Sequence, residues 1–159
     1  MTSFWSDELL EEWVRVIVRE GKRKAASARS VAEAVRSFFG PGRIEPSTYR
    51  DAVDTTPGPD EANRVHTAAA IGGMASVLLT KNQRDFPREY LEHRGVRLLT
   101  ADAYLRDLLR RRPSDVLASV RRLAALKRRP PRTPCELVAG LRHAGAQEFA
   151  DRLTIQLGC

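Results

Sequence analysis

The strongest constraint on the fold is an alternation of short apolar runs and helical patterns between residues 76 and 112. The run "SVLL" leads through a polar turn to the helical pattern "REYLEHRG", then to "VRLLT" and the amphipathic stretch "ADAYLRDLLRRR". Consecutive strands that are joined through a helix normally run parallel, because a parallel pair needs a crossover connection of this length. The chain is therefore predicted to be an α/β protein with a small parallel sheet flanked by helices.

Further helices are predicted on both sides of this segment. Ser6 is the expected N-cap of an amphipathic first helix. A second helix is predicted at residues 26–39, with Val31, Val35, Phe38 and Phe39 facing inward. A third, alanine-rich helix is predicted to begin near Asp60 and to end at Gly72-Gly73. At best one short strand, near Ile44, is expected between the second and third helices.

The C-terminal third is predicted to be helical throughout. A helix is expected from Pro113 to about Arg128, followed by the linker "RRPPRTP" and two short helices. The chain of 159 residues is long enough for one domain with a small appendage. We predict a domain at residues 1–112 and a helical module at residues 113–159.

The charge balance favours an anionic partner. Lysine and arginine total 27 against 20 acids, a net charge of +7. Basic clusters occur at residues 110–112, 121–122 and 127–129. They could contact RNA phosphates or an acidic protein segment, but basic residues at helix C-termini are also ordinary partners of the helix dipole. The alternative explanation for the charge is that the whole proteome is rich in arginine. Few aromatic residues lie among the basic ones, which argues against a surface on which single-stranded bases stack.

The cysteines and the hydropathy pattern exclude several classes. Cys135 and Cys159 lie far apart without a CxxC motif, so neither a zinc site nor a disulfide is predicted. Residues 1–15 do not form a signal peptide, and no apolar run reaches the length of a membrane span. The expectation is a soluble cytoplasmic protein with no membrane partner.

Oxygen-bearing side chains are concentrated where sites are built in α/β proteins. Glu12 lies on the first helix, Asp60 and Asn63 lie at the start of the third, and Thr80, Asn82 and Asp85 follow a strand. The carboxyl edge of a parallel sheet is the usual place for a site, and carboxylates suit Mg²⁺ or Mn²⁺. Taken singly, an acid before a helix is more often a cap.

Three stretches resemble PIN-domain ribonucleases, in particular the VapC-type toxins of type II toxin–antitoxin systems. They are "WSDELLEEW", "DEANRVHTAAAIGGMASVLLTKNQRDFP" and "GVRLLTADAYLRDLL", and the resemblance covers residues 5 to about 112. The tail "TPCELVAGLRHAGAQEFADRL" is similar to a helical C-terminal module found in a subset of these toxins. The resemblance implies a three-layer PIN-like fold, hydrolysis of RNA phosphodiesters, and a cognate antitoxin as partner.

The resemblance also implies roles for seven residues. Glu12, Asp60 and Asp85 are expected to be catalytic and to hold Mg²⁺ or Mn²⁺. The residues expected to orient substrate or ligands are Asn63, Arg64, Thr80 and Asn82. His66 is offset by one from the histidine of the family pattern; it either contacts substrate or metal or is a half-buried polar residue of the helix.

The sequence departs from the family pattern at two points. No aspartate-bearing first strand precedes the helix of Glu12, and Asn63 stands where the family has an aspartate. Three explanations remain open: a start upstream, a strand donated by a partner chain through β-addition, or a silent relative that binds RNA or protein. Apolar surface left exposed on the first helix would also suit a homodimer.

Overall fold

The computed structural model describes residues 3–126 and 133–159 and divides the chain into two compact units. The first unit comprises Met1–Leu78 and Asn82–Leu98, and the second comprises Leu79–Lys81 and Leu99–Cys159. Among the described residues, no helix combines the length and the apolar character needed to cross a membrane.

The described part of the first unit, from residue 3 onward, contains four helices. They are α1 (Asp7–Arg19), α2 (Ala25–Phe38), α3 (Glu61–Gly72) and α4 (Arg88–Glu92). Short 3₁₀ turns cover Gly40–Gly42, Pro46–Thr48, Arg50–Ala52 and Gln83–Asp85. The predicted caps are confirmed, because Ser6 accepts a hydrogen bond from Leu9 N at the start of α1, and α3 ends at Gly73.

The sheet has two parallel strands in the described part of the chain. β1 covers Val77–Leu79 and β2 covers Arg97–Leu99, close to the predicted limits. The strand predicted near Ile44 is reduced to a single parallel bridge between Trp5 and Arg43. The α/β prediction therefore holds in its coarse form, as a mostly helical chain with a small parallel sheet; the three-layer PIN arrangement stays a prediction.

Two clusters of buried residues form the core of the first unit, and α3 contributes to both. One cluster is built from Ala70, Ala75, Leu91, Val96 and Leu98, and the other from Ile44, Tyr49, Ala68 and Ala69. The alanines let the chain approach α3 closely, and a Cβ added at Gly72 would lie 2.5 Å from the carbonyl oxygen of Thr48.

The predicted inward face of α2 is wrong at its C-terminal end. The side chains of Phe38 and Phe39 are 81% and 50% exposed, whereas Ala28 and Ala32 are buried. Residues four apart share one face of a helix, so Ala28 and Ala32 form the packed stripe, and their small side chains let α2 lie close against α1.

In its described residues, the second unit is a bundle of four helices. They are α5 (Ala101–Arg111), α6 (Pro113–Leu126), α7 (Pro134–His143) and α8 (Gln147–Leu157). Its core includes Leu109, Val120, Val138, Phe149 and Leu153. Leu105, Leu108 and Leu109 of α5 pack into this core, and the domain boundary at residue 112 stays a prediction. The predicted basic cluster at residues 127–129 and most of the predicted linker lie outside the described residues.

The prediction that the cysteines do not form a disulfide is wrong. Cys135 and Cys159 are bonded, with their Cα atoms 5.8 Å apart. Cys135 lies in the first turn of α7 and Cys159 follows α8, and the tight turn between these packed helices brings the two positions together. Spacing along the sequence does not reveal this proximity.

Candidate functional site

Helix α1 presents two glutamates on one side, and each is bonded by a residue far along the chain. Glu8 and Glu12 are four residues apart, so they lie on the same face of the helix. Glu12 Oε2 lies 2.7 Å from Nε2 of His66 on α3, and Glu8 Oε2 accepts the Tyr49 hydroxyl at 2.5 Å. These two hydrogen bonds fix α1 relative to α3 and to the turn at Tyr49.

The Glu12–His66 pair is half-shielded from water. The side chain of His66 is 13% exposed and that of Glu12 is 37% exposed. Because a carboxylate can only accept, Nε2 of His66 carries the hydrogen of this bond. Among the described residues, none donates a hydrogen bond to the other oxygen of Glu12, which leaves that oxygen able to bind a further group. The structure thus shows that His66 is bonded to Glu12, whereas the sequence left its role open between contact with substrate or metal and a half-buried position in the helix.

The Glu8–Tyr49 pair was missed by the sequence analysis. Burial of Tyr49 raises the pKa of its hydroxyl strongly, and the Glu8 carboxylate adds to this shift. Burial also raises the pKa of the Glu8 carboxyl, but the Tyr49 hydroxyl, a backbone hydrogen bond and the nearby Arg50 together outweigh it, and the net pKa is lowered. The sequence carries no local signal for this pair, because Glu8 and Tyr49 are 41 residues apart.

Asp60 is occupied as the N-cap of α3. Its Oδ1 accepts from the backbone N of Asn63 at 2.9 Å, and its Oδ2 accepts from the side-chain amide of Asn63 at 2.9 Å. His66 lies six residues further along α3, about 9 Å along the helix axis. The capping role that the sequence favoured for an acid in this position is therefore present, and the cap engages both oxygens of Asp60.

Arg64 is the cation closest in sequence to this cap. Its Nε is buried and makes no hydrogen bond with any described residue. The backbone at Gly58 lies so close that an added Cβ would be 2.9 Å from Cγ of Arg64. The glycine therefore allows the stem of Arg64 to pack closely.

The polar residues that follow β1 are split between the two units. Asn82 donates from its side-chain amide to a carboxylate oxygen of Asp85, both in the first unit. Thr80 belongs to the second unit, where its backbone N donates to the carbonyl of Leu99 at 3.0 Å. Asp85 is thus held by a neighbour within its own turn.

The residues to which the resemblance assigns a metal do not gather into a ligand set. Across residues 3–126 and 133–159, no group of three or more His, Cys, Asp or Glu side chains is arranged to hold a metal ion. Glu12 is bonded to His66, Asp60 to Asn63, and Asp85 to Asn82. The described residues alone therefore do not fit Mg²⁺ or Mn²⁺, and the metal-ligand roles stay predictions.

Comparison with known families finds a match for one part of the chain. Residues 101–154 match the family model of the VapC50 C-terminal domain. The match runs from the start of α5 into α8, about one third of the chain, and lies entirely within the second unit. It supports a relation to a VapC-type toxin family and hence a toxin–antitoxin context. No curated protein and no solved structure matches the chain.

Proposed function

We propose that this chain is a VapC-type toxin of a type II toxin–antitoxin system and that its reaction is the hydrolysis of RNA phosphodiesters. The observation that carries the proposal is the match of residues 101–154 to a VapC C-terminal domain. The resemblance of the preceding residues to PIN-domain ribonucleases supplies the reaction class. In a system of this kind the protein has a cognate antitoxin as partner.

Glu12 is the residue on which the proposed activity depends most. Its carboxylate is oriented by His66, and one oxygen remains available to a ligand or water. The family reaction uses Mg²⁺ or Mn²⁺, for which the described residues form no complete ligand set. The proposal therefore has the missing acidic ligand come from a strand that a partner chain donates.

The surface of α1 supports the addition of such a strand. Leu10 is its only buried side chain, and Leu9 is 43% exposed although the helix is strongly amphipathic. Trp13, Val14 and Ile17 are only half-buried. An added strand that covered this face would remove apolar surface from water and thereby stabilise the first unit.

A second candidate function is a silent relative that binds RNA or a protein without cleaving. The specific observation in its favour is Asn63, which stands where the family has an aspartate and whose amide donates to Asp60. A neutral amide oxygen attracts a divalent cation less than a carboxylate does.

The two functions are separated by a cleavage assay on the chain as it exists. Labelled RNA is incubated with the protein in Mn²⁺, with and without EDTA, beside Glu12→Gln and the matched control Glu11→Gln, which changes an exposed neighbour on the same helix. Cleavage that requires Mn²⁺, is lost in E12Q and survives in E11Q supports the ribonuclease. Binding of RNA without cleavage supports the silent relative. Cleavage that survives both EDTA and E12Q overturns the roles of Glu12 as a catalytic residue and as a metal ligand.

A further inference from the structure

The second unit contains a basic groove between α5 and α8 that no predicted role uses. The groove has a volume of about 360 Å³ and is lined by Arg106, Leu109, Arg110, Arg152, Ile155 and Gln156. Three of the six lining residues are arginines and none is an acid. The groove lies within one packed bundle, since α5 and α8 share the core of this unit.

The three guanidinium groups differ in how firmly they are already held. Arg106 donates to Glu148, and its buried Nε makes no hydrogen bond with a described residue although Asp102 Oδ2 is 3.4 Å away. Arg110 donates to Asp107 at 2.7 Å, but its side chain is 71% exposed, so this ion pair stabilises little. Among the described residues, Arg152 has no ion-pair partner. Arg110 and Arg152 can therefore donate hydrogen bonds to the carboxylates of a partner with little loss of existing interactions.

The groove also has an apolar wall. Leu109 is buried beneath it, whereas Ile155 is 81% exposed at its edge. A partner that covered Ile155 would remove this aliphatic side chain from water. A ligand that fits must bring an aliphatic side chain to Ile155 and acidic groups to the arginines.

We propose that this groove is the docking site for an acidic segment of a partner protein, which places an aliphatic side chain against Ile155 between carboxylates bound by Arg110 and Arg152. Guanidinium groups bind carboxylates through paired hydrogen bonds, and an aliphatic anchor in a pocket is the usual centre of a protein interface. Phosphates of RNA can pair with the same arginines, but no aromatic side chain lines the groove to stack a base, and RNA brings no aliphatic group to Ile155. This docking does not depend on ribonuclease activity.

A binding titration tests the proposal without an RNA cleavage step. The probe is a fluorescein-labelled peptide, Glu-Glu-Leu-Glu-Glu-Leu-Glu-Glu, read by anisotropy at low salt. Two control peptides replace all glutamates by glutamine or both leucines by serine. Removing two charged hydrogen-bond partners should raise Kd at least about tenfold, so we compare R110Q/R152Q with the full chain. The matched control is R121Q/R122Q, which removes the same charge from exposed positions on α6.

We expect binding of the first peptide alone, a loss of at least tenfold in R110Q/R152Q, and no such loss in R121Q/R122Q. Shifts of the arginine side-chain N–H signals in NMR should map to Arg106, Arg110 and Arg152. The proposal is overturned if the peptide does not bind, if both double variants weaken binding equally, or if the serine control binds as well as the leucine peptide. It is also overturned if a twelve-nucleotide RNA displaces the peptide and shifts the same signals more strongly.

Discussion

The disulfide between Cys135 and Cys159 should account for much of the stability of the second unit. It closes a loop across a sequence separation of 24 residues, which contains the hairpin of α7 and α8. In the chain-entropy model, closing a loop of this length removes conformational entropy from the unfolded chain and so raises its free energy by about 3.5 kcal/mol at 25 °C. For a unit of this size, that loss should lower the midpoint of thermal unfolding by roughly 15–25 °C. Reduction of the bond, or Cys135→Ser with Cys159→Ser, should therefore destabilise α7 and α8.

The placement of the tryptophans gives this experiment an internal control. Trp5 and Trp13 are the two tryptophans of the chain, and both belong to the first unit. Tryptophan fluorescence therefore follows the first unit, whereas hydrogen exchange of the amides of α7 and α8 follows the second. We expect reductant to accelerate exchange in α7 and α8 while the fluorescence transition stays where it was.

Three results would refute this reasoning about the disulfide. The unreduced protein would titrate two free thiols, or reductant would leave exchange in α7 and α8 unchanged. The third is a further effect of reductant on the double serine variant, since that variant has no bond to reduce. Equal shifts in fluorescence and in exchange would show instead that reduction destabilises the whole chain.

Three further substitutions, two of them paired with a control substitution, test the packing and the part-buried hydrogen bond between Tyr49 and Glu8. Tyr49→Phe removes the hydroxyl donated to Glu8 and should lower the free energy of unfolding by about 1–2 kcal/mol in urea denaturation at neutral pH. The pKa of Glu8 is lower in the folded than in the unfolded chain, so this stabilisation is complete above the ordinary glutamate value of 4.5. It is lost as the pH falls through the folded pKa. The difference in the free energy of unfolding between the two proteins should therefore shrink in acid. Leu153→Ala empties a fully buried position and should destabilise the second unit by about 2–5 kcal/mol, measured by hydrogen exchange, whereas Ile155→Ala on the same helix should cost little. Gly72→Ala forces a Cβ against the carbonyl of Thr48 and should lower the fluorescence-detected unfolding midpoint, whereas Gly40→Ala, with open space around it, should not; equal effects would contradict the packing argument.

Local patterns in the sequence predicted the elements better than their packing. Ser6, Asp60 and the Gly72-Gly73 pair mark helix ends in the structure as predicted, because capping depends on residues within one turn. The face of α2 was harder to predict, since valine and phenylalanine compete with alanine for the inward position. Which stripe packs is decided by how closely α1 approaches, and that distance is a property of the folded chain.

Long-range pairing explains what the sequence could not predict in the candidate site. Glu12 meets His66 across 54 residues, Glu8 meets Tyr49 across 41, and the two cysteines meet across 24. None of these pairs carries a local signature, because each depends on how separate helices are arranged. Asp60, by contrast, engages Asn63 three residues away, and the capping alternative was visible in the sequence.

The family match and the predicted catalytic acids lie in different units and can therefore be tested independently. The family match lies in the second unit, where no catalytic acid is predicted, and the acids Glu12, Asp60 and Asp85 lie in the first. A chain could keep partner binding in its second unit after its first unit has lost ribonuclease activity. Replacement of an aspartate ligand by Asn63 would have that effect. Loss of peptide binding in R110Q/R152Q with intact cleavage, and loss of cleavage in E12Q with intact peptide binding, would establish that each unit performs its own task.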